Sequence, residues 1–320
     1  MKIVILERNS VGTDVSVDCI RDFGEVTVYG NTVTKEEVRE RVREADIVIA
    51  NKSPLNEETL KDAPNVKLIC EFATGYDNCD LRYCRDRGIK VTNVVDYCTA
   101  MVAQHTFCMA LALSEKLPHY DGYVKSGAYS AQDRFSNFDL PFYELAGKTW
   151  GIVGMGNIGR RVAKIAAAFG CNVIFHSVTG KSSCTDYRRV DKDTLLRESD
   201  FLSLHCPLSD ITQNFIDRDA LKKMKRTAIL LNVARGRVVD NTALYEALTR
   251  GEIAAAGLDV VENEPLEPSN PLSGIQDSCR LIITPHLAWA SVEARTRCVQ
   301  GAYENIAAFL RGEERNVVKW

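Results

Sequence analysis

The chain has 320 residues, of which 45% are hydrophobic and 26% are charged, and its formal net charge is −3. This length accommodates about two domains with sizeable cores, and the small negative charge gives no electrostatic footprint for nucleic acid or an anionic membrane. No apolar run is long enough to span a membrane, and Glu7 and Arg8 end the first apolar run too early for a signal peptide. We therefore expect a cytoplasmic protein that binds neither nucleic acid nor membrane.

Cysteine usage points the same way. The chain has 11 cysteines, an odd number, and they are scattered singly, often inside apolar runs. This pattern favours free buried thiols over a disulfide framework. Cys79 and Cys84 are too isolated from other ligand types to predict a zinc site, and we expect no bound metal.

Residues 1–98 alternate apolar runs with helical patterns, which predicts an α/β unit with its own core. Polar loops follow two of its strands, one at Asn51-Lys52 and the other from Glu71 to Asn78. Open α/β sheets bind ligands at the carboxyl ends of their strands, so the backbone N–H groups of Thr74 and Gly75 are candidates to hold a small anion. Ordinary strand-to-helix turns are the alternative. The predicted strands are residues 2–6, 25–29, 46–50 and 67–70, and the predicted helices are residues 15–23 and 35–44.

The next stretch, residues 100–117, lacks Pro and Gly and is apolar on nearly all sides. A helix that is apolar all round is buried, so this helix either crosses between domains or packs at a subunit interface. The segment that follows, up to Gly147, is rich in Tyr, Ser, Asp and Phe. We expect this segment to be irregular.

Residues 150–177 carry the pattern around which the chain is organised. An apolar run meets Gly154, Gly156 and Gly159 in G-x-G-x-x-G spacing, a helical period follows, and a second apolar run begins at Val173. The first glycine permits a tight turn, the second lets backbone N–H groups approach a pyrophosphate, and the third lets the helix pack close to the strand. The helix N-terminus adds N–H donors and partial positive charge. The pattern therefore predicts a dinucleotide site.

Beyond this unit, predicted strands recur at residues 201–204, 228–232, 255–258 and 281–284, with helices between them, notably residues 241–250. This repetition is typical of a doubly wound parallel sheet. A strongly amphipathic helix is predicted at residues 291–310. Because it follows the second sheet, we expect it to return and pack on the first domain.

Three polar residues follow strands of the second sheet, namely Arg235, Glu264 and His286. The carboxyl ends of parallel strands meet at one edge, so these side chains are expected to lie together. An Arg can bind a carboxylate through two hydrogen bonds. A His can exchange a proton near neutral pH, and a neighbouring Glu favours the charged imidazolium. Taken singly, the three could be a surface ion pair, a solvated loop residue and a helix cap; together, beside a dinucleotide loop, they indicate an acid-base site.

The chain resembles the D-isomer-specific 2-hydroxyacid dehydrogenases over essentially its whole length. The resemblance lies in the motifs G-M-G-N-I-G (154–159), L-N-V-A-R-G (231–236), G-L-D-V through E-P (257–265) and T-P-H-L-A-W-A-S (284–291). It implies a Rossmann-type doubly wound parallel sheet, residues 100–287, inserted into a smaller flavodoxin-like α/β substrate-binding domain, residues 1–99. Residues 288–320 would return to that domain as a C-terminal helix. The family also implies a homodimer built largely on the cofactor domains.

The activity that the resemblance implies is hydride transfer between a nicotinamide dinucleotide and C2 of a 2-oxo or D-2-hydroxy acid. Arg235 would bind the substrate carboxylate and polarise the carbonyl, His286 would protonate the carbonyl oxygen in reduction, and Glu264 would keep His286 protonated. The implied substrate-binding residues are Asn51, Lys52, Thr74, Gly75, Arg235 and Trp289. The implied cofactor-binding residues are Val102, Gly154, Gly156, Asn157, Ile158, Gly159, Ser177, His205, Cys206, Pro207, Thr212, Val233, Ala234, Asp259, His286 and Ala288.

Within the family, Trp289 at H-x-x-W looks most like the glycerate dehydrogenase or hydroxypyruvate reductase branch. Hydroxypyruvate is therefore the leading substrate, and phenylpyruvate, branched 2-oxo acids, glyoxylate and pyruvate, on which family enzymes act, are the alternatives. The indole either walls the substrate pocket or simply packs against the last helix. Two competing hypotheses are a catalytically idle dinucleotide sensor and other hydride chemistry such as formate or phosphonate oxidation. The intact set of Arg235, Glu264 and His286 argues against the sensor.

The cofactor preference depends on Ser177, which stands where most NAD-dependent members carry an acidic residue. A carboxylate there bonds the ribose hydroxyls and repels a 2′-phosphate. Thr179 and Lys181 offer a donor and a positive charge to such a phosphate, whereas no Arg directly follows Ser177. The sequence therefore leaves NAD and NADP as alternative cofactors. His205 is expected near the adenosine as a cofactor-pocket or structural residue.

Overall fold

The structure is a computed structural model that describes residues 1–319. The chain divides into two compact units. The first comprises Met1–Cys98 and the segment from Trp289 onward, and the second comprises Thr99–Ala288. Each unit is built on a parallel sheet with helices between its strands. The α/β fold class predicted from the sequence is confirmed.

The sheet of the first unit is formed by β1 (Lys2–Ile5), β2 (Glu25–Val28), β3 (Ile47–Ala50), β4 (Leu68–Glu71) and β5 (Lys90–Thr92). The strands pair in parallel in the order β2-β1-β3-β4-β5. All residues of β3 and β4 are buried, as in central strands with both faces covered, whereas the edge strand β2 is mostly exposed. The intervening helices are α1 (Lys35–Val42), α2 (Glu57–Leu60) and α3 (Leu81–Asp86).

The second unit begins with the helices α4 (Thr99–Ser114), α5 (Leu117–Lys125) and α6 (Ala128–Ala131). Its strands are β6 (Thr149–Val153), β7 (Asn172–His176), β8 (Arg188–Arg189), β9 (Phe201–Leu204), β10 (Ile229–Asn232), β11 (Ala255–Leu258) and β12 (Leu281–Ile283). Its other helices are α7 (Asn157–Ala168), α8 (Lys192–Glu198), α9 (Arg218–Lys223) and α10 (Asn241–Arg250). The parallel strands lie in the order β12-β11-β10-β9-β6-β7-β8.

The core of the second unit is anchored by Trp150 on β6. Its side chain is fully buried, stacks between Phe107 of α4 and Phe201 of β9, and donates from Nε1 to Ser203 Oγ at 2.9 Å. An indole buried in this way needs a partner for its N–H. The helix α4 also lies close against the sheet. A Cβ at Gly257 on β11 would stand only 3.0 Å from Met109 Cβ. The close approach therefore favours glycine at this position.

The chain closes with α11 (Val292–Leu310), which belongs to the first unit and contacts β4. Ser291 caps the helix by accepting from the N–H of Ala294 at 3.3 Å. A Cβ at Gly301 would lie 2.4 Å from Val94 Cγ1, so a glycine is needed where the helix meets the end of β5. Within residues 1–319, no helix has the length and apolar character needed to cross a membrane.

Three details differ from the sequence predictions. The segment up to Gly147 was expected to be irregular, yet it contains α5 and α6. The helix predicted at residues 100–117 ends at Ser114, because Lys116 takes a left-handed backbone with φ +56° and so starts a separate helix. The helix predicted at residues 15–23 is a short 3-10 segment, Asp18–Phe23. In each case the spacing of apolar residues was either too irregular or too continuous to show where a helix begins or ends.

Candidate active site

The glycine turn joins β6 to α7, and each glycine meets a different physical demand. Gly154 has φ +93°, which favours glycine, and a Cβ there would stand 2.7 Å from the His205 carbonyl oxygen. A Cβ at Gly159 would lie 2.1 Å from the Gly154 carbonyl oxygen, so the third glycine is needed for the helix to pack on the turn. A Cβ at Gly156 would meet no described atom within 4 Å, so its side of the turn is open.

The N-terminus of α7 opens onto that space. Gly156 is the N-cap residue and provides no side-chain cap, so the first N–H donors of the helix lack the usual capping acceptor. An open approach, a helix dipole and N–H donors together suit a pyrophosphate. Of the other predicted cofactor contacts here, Asn157 is exposed and Ile158 is half-buried. These residues fit a dinucleotide.

The order of the strands places this turn at the switch point of the sheet. From β6 the chain proceeds to β7 on one side and later to β9 on the other, so the exits of β6 and β9 border the crevice where open α/β sheets bind ligands. His205 and the buried Cys206 directly follow β9. Neither ring nitrogen of His205 has a hydrogen-bond partner among residues 1–319, and burial lowers the pKa of His205 to about 3. A neutral ring with unused donor and acceptor capacity therefore lies beside the turn.

The remaining loop after β9 is held by Thr212. Its hydroxyl donates to the Pro207 carbonyl oxygen at 2.8 Å and accepts from the N–H of Ser209 at 2.7 Å. Four other predicted cofactor contacts, like Thr212, lie in the second unit: Val102 and Ala288 are buried, Ala234 is buried beside Arg235, and Val233 is half-buried.

The loop after β7 contains Ser177, which is buried. Its Oγ accepts from the N–H of Ser182 at 3.3 Å, and its carbonyl oxygen accepts from the N–H of Gly180 at 3.0 Å. Two guanidinium groups contact this loop, because Arg189 Nη1 donates to the Gly180 carbonyl oxygen at 3.0 Å and Arg160 Nη2 donates to Ser183 Oγ at 3.3 Å. Residues 177–183 include Lys181 and no Asp or Glu. The loop is therefore surrounded by positive charge.

His286 and Glu264 lie together at the carboxyl ends of β12 and β11, at the other end of the strand order from β7. The distance from His286 Nδ1 to Glu264 Oε2 is 2.6 Å, and both side chains are partly exposed. Glu264 Oε1 also accepts from the N–H of Val261 at 3.2 Å, which fixes the carboxylate. Since Nδ1 faces Glu264, Nε2 is the ring nitrogen left to meet a substrate. This is the geometry of an imidazole oriented by a carboxylate.

The turn that carries His286 is held by Asp259, which is buried. Asp259 Oδ1 accepts from Thr284 Oγ1 at 2.6 Å and from the N–H of Leu287 at 2.9 Å, and Oδ2 accepts from the N–H of Ala288 at 2.8 Å. The sequence predicts Asp259 as a cofactor contact. In this structure its carboxylate supports the turn around the histidine.

Arg235 follows β10, which neighbours β11 in the sheet. The buried side chain of Asn232 shapes its turn by donating to the Arg235 carbonyl oxygen at 2.9 Å and accepting from the N–H of Ala234 at 3.0 Å. A Cβ at Gly236 would stand 1.8 Å from the Val261 carbonyl oxygen, so this turn is packed directly against the segment that leads to Glu264. The acid-base residues and Arg235 therefore occupy adjoining strand exits.

The predicted substrate residues of the first unit lie on two loops and at the start of the C-terminal segment. The N–H groups of Asn51 and Lys52 donate to the Glu7 carboxylate, both to Oε2, at 2.8 Å and 3.0 Å respectively, so these N–H groups are already engaged. Thr74 is exposed, and no acceptor within residues 1–319 is recorded for the N–H of Thr74 or Gly75. Trp289 lies edge-on to Tyr97, with ring centroids 6.1 Å apart.

Sequence reasoning missed three residues that support these sites: Glu7, which binds the backbone after β3; Glu71, which is fully buried at the end of β4; and His105, whose Nε2 is 2.9 Å from Thr284 Oγ1. Glu7 and His105 act over long sequence separations, and Glu71 contacts Asn78 and Cys79 in the loop that follows it. The only sequence signal was an ionisable residue inside or at the end of an apolar run.

Comparisons with known proteins agree on one family. Residues 107–288 match the family model described as D-isomer specific 2-hydroxyacid dehydrogenase, NAD binding domain. The chain is 40% identical to the glycerate dehydrogenase of Methylorubrum extorquens and 36% identical to the hydroxypyruvate reductase of Blautia hydrogenotrophica, in both cases over 99% of each chain.

Two solved structures share the fold over nearly the whole chain. An acyclic imino acid reductase in complex with NADPH and D-Arg superposes with a TM-score of 0.90 at 30% identity, covering 100% of both chains. The D-lactate dehydrogenase of Aquifex aeolicus, complexed with NAD and lactic acid, superposes with a TM-score of 0.84 at 30% identity, covering 98% of this chain and 96% of that one. The family and the nicotinamide dinucleotide cofactor predicted from the sequence are confirmed. This chain belongs to the D-isomer-specific 2-hydroxyacid dehydrogenase family.

Proposed function

We propose that this protein reduces hydroxypyruvate to D-glycerate with a nicotinamide dinucleotide, and catalyses the reverse oxidation. The observation that carries the proposal is the 2.6 Å contact between His286 Nδ1 and Glu264 Oε2 beside the turn of Arg235. A sensor that only binds a dinucleotide has no use for a paired acid and base at this edge. When bound, the nicotinamide supplies the hydride that reduces C2 of the substrate.

His286 acts as the general acid. Its Nε2–H donates a proton to the carbonyl oxygen as C2 is reduced, and the same nitrogen takes the hydroxyl proton in the oxidation. Such proton transfer contributes roughly 10²- to 10⁴-fold to a rate. Glu264 orients the ring through Nδ1 and stabilises the imidazolium by its negative charge.

Arg235 binds the substrate carboxylate. A guanidinium offers a planar pair of N–H donors that matches the two oxygens of a carboxylate. The backbone N–H groups of Thr74 and Gly75 are also proposed to bind a substrate carboxylate. Their loop lies at the carboxyl end of β4 in a parallel sheet, where such ligands bind.

Hydroxypyruvate is favoured because the two full-length relatives described above carry the names glycerate dehydrogenase and hydroxypyruvate reductase. Glyoxylate is the second candidate. The chain is 38% identical over 287 residues to the glyoxylate reductase of Korarchaeum cryptofilum, with 88% of this chain covered.

The loop after β7 supports use of NADPH as well as NADH. It lacks a carboxylate that would repel a 2′-phosphate, and Lys181, Arg160 and Arg189 supply positive charge around it. We expect Arg189→Ala to weaken NADPH binding roughly tenfold, the loss of one hydrogen bond to a charged group, with NADH binding unchanged. Arg188→Ala, whose guanidinium pairs with Glu198, is the matched control. Equal loss of both cofactors, measured by quenching of protein fluorescence, would contradict this assignment.

A homodimer is supported by exposed aromatic residues that lie close together in the sequence of the second unit. Phe135, Phe138 and Tyr143 are 88%, 75% and 64% exposed. Apolar surface of this kind commonly marks an interface. Light scattering should show a dimer that Phe135→Ser with Phe138→Ser converts to monomer, while Ile211→Ser, at another exposed apolar position, leaves it intact.

The cysteines within residues 1–319 are all free thiols, which supports a reducing, cytoplasmic setting.

The test of the activity is a steady-state panel of 2-oxo acids with NADH and NADPH, followed by the nicotinamide absorbance. We expect the highest kcat/KM with hydroxypyruvate. A higher value with glyoxylate would keep the reaction class and change the substrate. Absence of turnover with every 2-oxo acid, in a protein that binds the dinucleotide, would instead support the sensor.

A further inference from the structure

A carboxyl group without a catalytic assignment is buried beneath the loop that is proposed to bind the substrate carboxylate. Glu71, the last residue of β4, is 0% exposed. Its Oε1 accepts from Asn78 Nδ2 at 3.1 Å and from Cys79 Sγ at 3.0 Å, and its Oε2 has no partner among residues 1–319. A charged carboxylate is very costly at such a site, because only part of its hydrogen-bonding capacity is met. Burial raises the pKa of Glu71 to about 7.

Glu71 ties together the loops that follow β3 and β4. We call these the 51–55 loop and the 72–79 loop. Asn78 Nδ2, which donates to Glu71, also donates to the Ser53 carbonyl oxygen at 3.0 Å. The Asn78 carbonyl oxygen in turn accepts from the N–H of Leu55 at 2.9 Å. The carboxyl group of Glu71 is therefore the anchor of an amide that joins both loops.

The 72–79 loop is also fixed at its other end. Thr74 Oγ1 donates to the Val94 carbonyl oxygen at 3.0 Å, and Asn93 Nδ2 donates to the Thr74 carbonyl oxygen at 2.7 Å. The loop is thus held at Thr74 by the exit of β5 and at Asn78 by Glu71. The N–H groups of Thr74 and Gly75 lie between these two anchors, so their direction depends on both.

Charged and titratable groups from several elements face Glu71. The negative charge of Glu7, which follows β1, raises its pKa, and the positive charge of Lys52 in the 51–55 loop lowers it, both by less than burial does. The thiols of Cys70 on β4, Cys79 in the loop, Cys84 on α3 and Cys298 on α11 face it as neutral groups, since burial raises the pKa of each. Asp77 adds a negative charge on the same loop. The positive charge of Lys52 opposes the negative charge that Glu71 acquires on ionisation.

We propose that Glu71 is a positioning residue for the substrate: its neutral form holds the 72–79 loop in the geometry that binds the carboxylate of a 2-oxo acid, and its ionisation weakens that binding. The inference rests on the proposed function. Thr74 is three residues from Glu71, a reach of about 10 Å for extended chain. We take this as the distance between ionised Glu71 and a substrate carboxylate bound at Thr74. With an effective dielectric constant of about 20, repulsion between these two negative charges lowers the affinity for the substrate roughly tenfold.

The test compares wild type with Glu71→Gln from pH 5.5 to 8.5 at saturating NADH, with KM and kcat for hydroxypyruvate measured separately. Glutamine has the same shape and can accept the same two hydrogen bonds, but it does not ionise. We expect the KM of wild type to rise roughly tenfold more than that of Glu71→Gln as the pH passes 7. The other ionisable groups of the site are present in both proteins, so the difference between the two KM profiles isolates Glu71. The profile of kcat should be the same in both. Glu57→Gln, an exposed carboxylate of the same unit, is the control and should follow wild type.

Binding of oxalate, a dianion that cannot be reduced, separates this inference from the proposed activity. Calorimetry at pH 6 and pH 8 should show a larger loss of oxalate affinity at the higher pH for wild type than for Glu71→Gln. If no 2-oxo acid is reduced but this difference persists, the activity fails and the positioning role stands. A loss of oxalate affinity between pH 6 and pH 8 that is the same in wild type and Glu71→Gln overturns the positioning role. If the variant does not fold, a wild-type affinity that is equal at both pH values still overturns it.

Discussion

The backbone N–H of His286 donates to the carbonyl oxygen of Asp259 at 2.8 Å, while the side chain of Asp259 binds residues on both sides of that histidine. His286 has φ +53°, a left-handed conformation that a residue with a side chain adopts at a cost. The turn is therefore held by a buried carboxylate rather than by local preference. The side chain of Asp259 therefore sets the orientation of His286, the proposed general acid, without itself taking part in the proposed proton transfer.

We expect Asp259→Asn to loosen this turn, because the amide nitrogen cannot accept the bond that Ala288 or Leu287 donates. The unpaired buried donor should lower the free energy of unfolding by about 1–3 kcal/mol. Misdirection of His286 should lower kcat by roughly tenfold or more. Urea denaturation and steady-state kinetics measure the two effects, and Asp219→Asn, on the surface of α9, is the control. If kcat is unchanged while stability falls, the orientation of His286 does not depend on Asp259.

The pair of His286 and Glu264 can be tested by removing the acid or only the charge beside it. His286→Ala should lose roughly 10²- to 10⁴-fold in kcat for reduction and keep its affinity for the dinucleotide. Glu264→Gln retains a hydrogen-bond acceptor but loses the charge that stabilises the imidazolium, so we expect a loss of about tenfold or more. Glu262→Gln, an exposed neighbour on the same segment, should behave as wild type. A rate for Glu264→Gln equal to that of Glu262→Gln would remove Glu264 from the mechanism.

The sequence predicts most of the fold because its strands are short apolar runs bounded by polar residues. The predicted strands at residues 201–204 and 255–258 have the same bounds as β9 and β11, and the predicted helix at 241–250 has the bounds of α10. The break at Lys116 was not predictable. The side chain of Lys116 donates to the Cys279 carbonyl oxygen at 3.2 Å, a contact between residues far apart in the chain.

The same limit applies to the site. The expectation that Glu264 and His286 lie together follows from parallel strand exits, and the two are in contact; their catalytic roles remain predictions. The parts played by Glu7, Glu71 and Asp259 depend on which hydrogen-bond donors each carboxyl group meets in the folded chain, backbone N–H groups for Glu7 and Asp259 and side chains for Glu71. No periodicity or spacing encodes such partners, because each contact crosses between separate elements.

The glycine turn predicts opposite outcomes for two similar substitutions. Gly159→Ala places a Cβ 2.1 Å from the Gly154 carbonyl oxygen, so it should destabilise the protein by about 1–3 kcal/mol even without cofactor. Gly156→Ala meets no described atom within 4 Å and should leave the unfolding free energy nearly unchanged. The added methyl group would instead occupy the space that a pyrophosphate needs, so dinucleotide affinity should fall. Equal loss of stability in the two variants would contradict this division.

His205 makes a prediction about acid stability. Burial lowers its pKa from 6.5 to about 3, so between these pH values the unfolded chain binds a proton at this site that the folded chain does not. Stability is therefore full above pH 6.5 and falls as the pH drops through the range, by roughly 1.4 kcal/mol per pH unit. His205→Gln lacks this proton uptake. Between pH 8 and pH 5 the unfolding free energy of the variant should therefore fall by about 2 kcal/mol less than that of wild type.

Urea denaturation of the cofactor-free proteins at the two pH values measures this difference. Glu71 and the other ionisable groups titrate in both proteins, so the change in the gap between the two curves isolates His205. Since the ring has no partner among residues 1–319, the variant should also lose little at pH 8. Curves that stay parallel from pH 8 to pH 5 would mean that His205 is hydrated enough to ionise in the folded protein. The crevice beside the glycine turn would then be wet, and a neutral imidazole could not be counted among its ligand-binding groups.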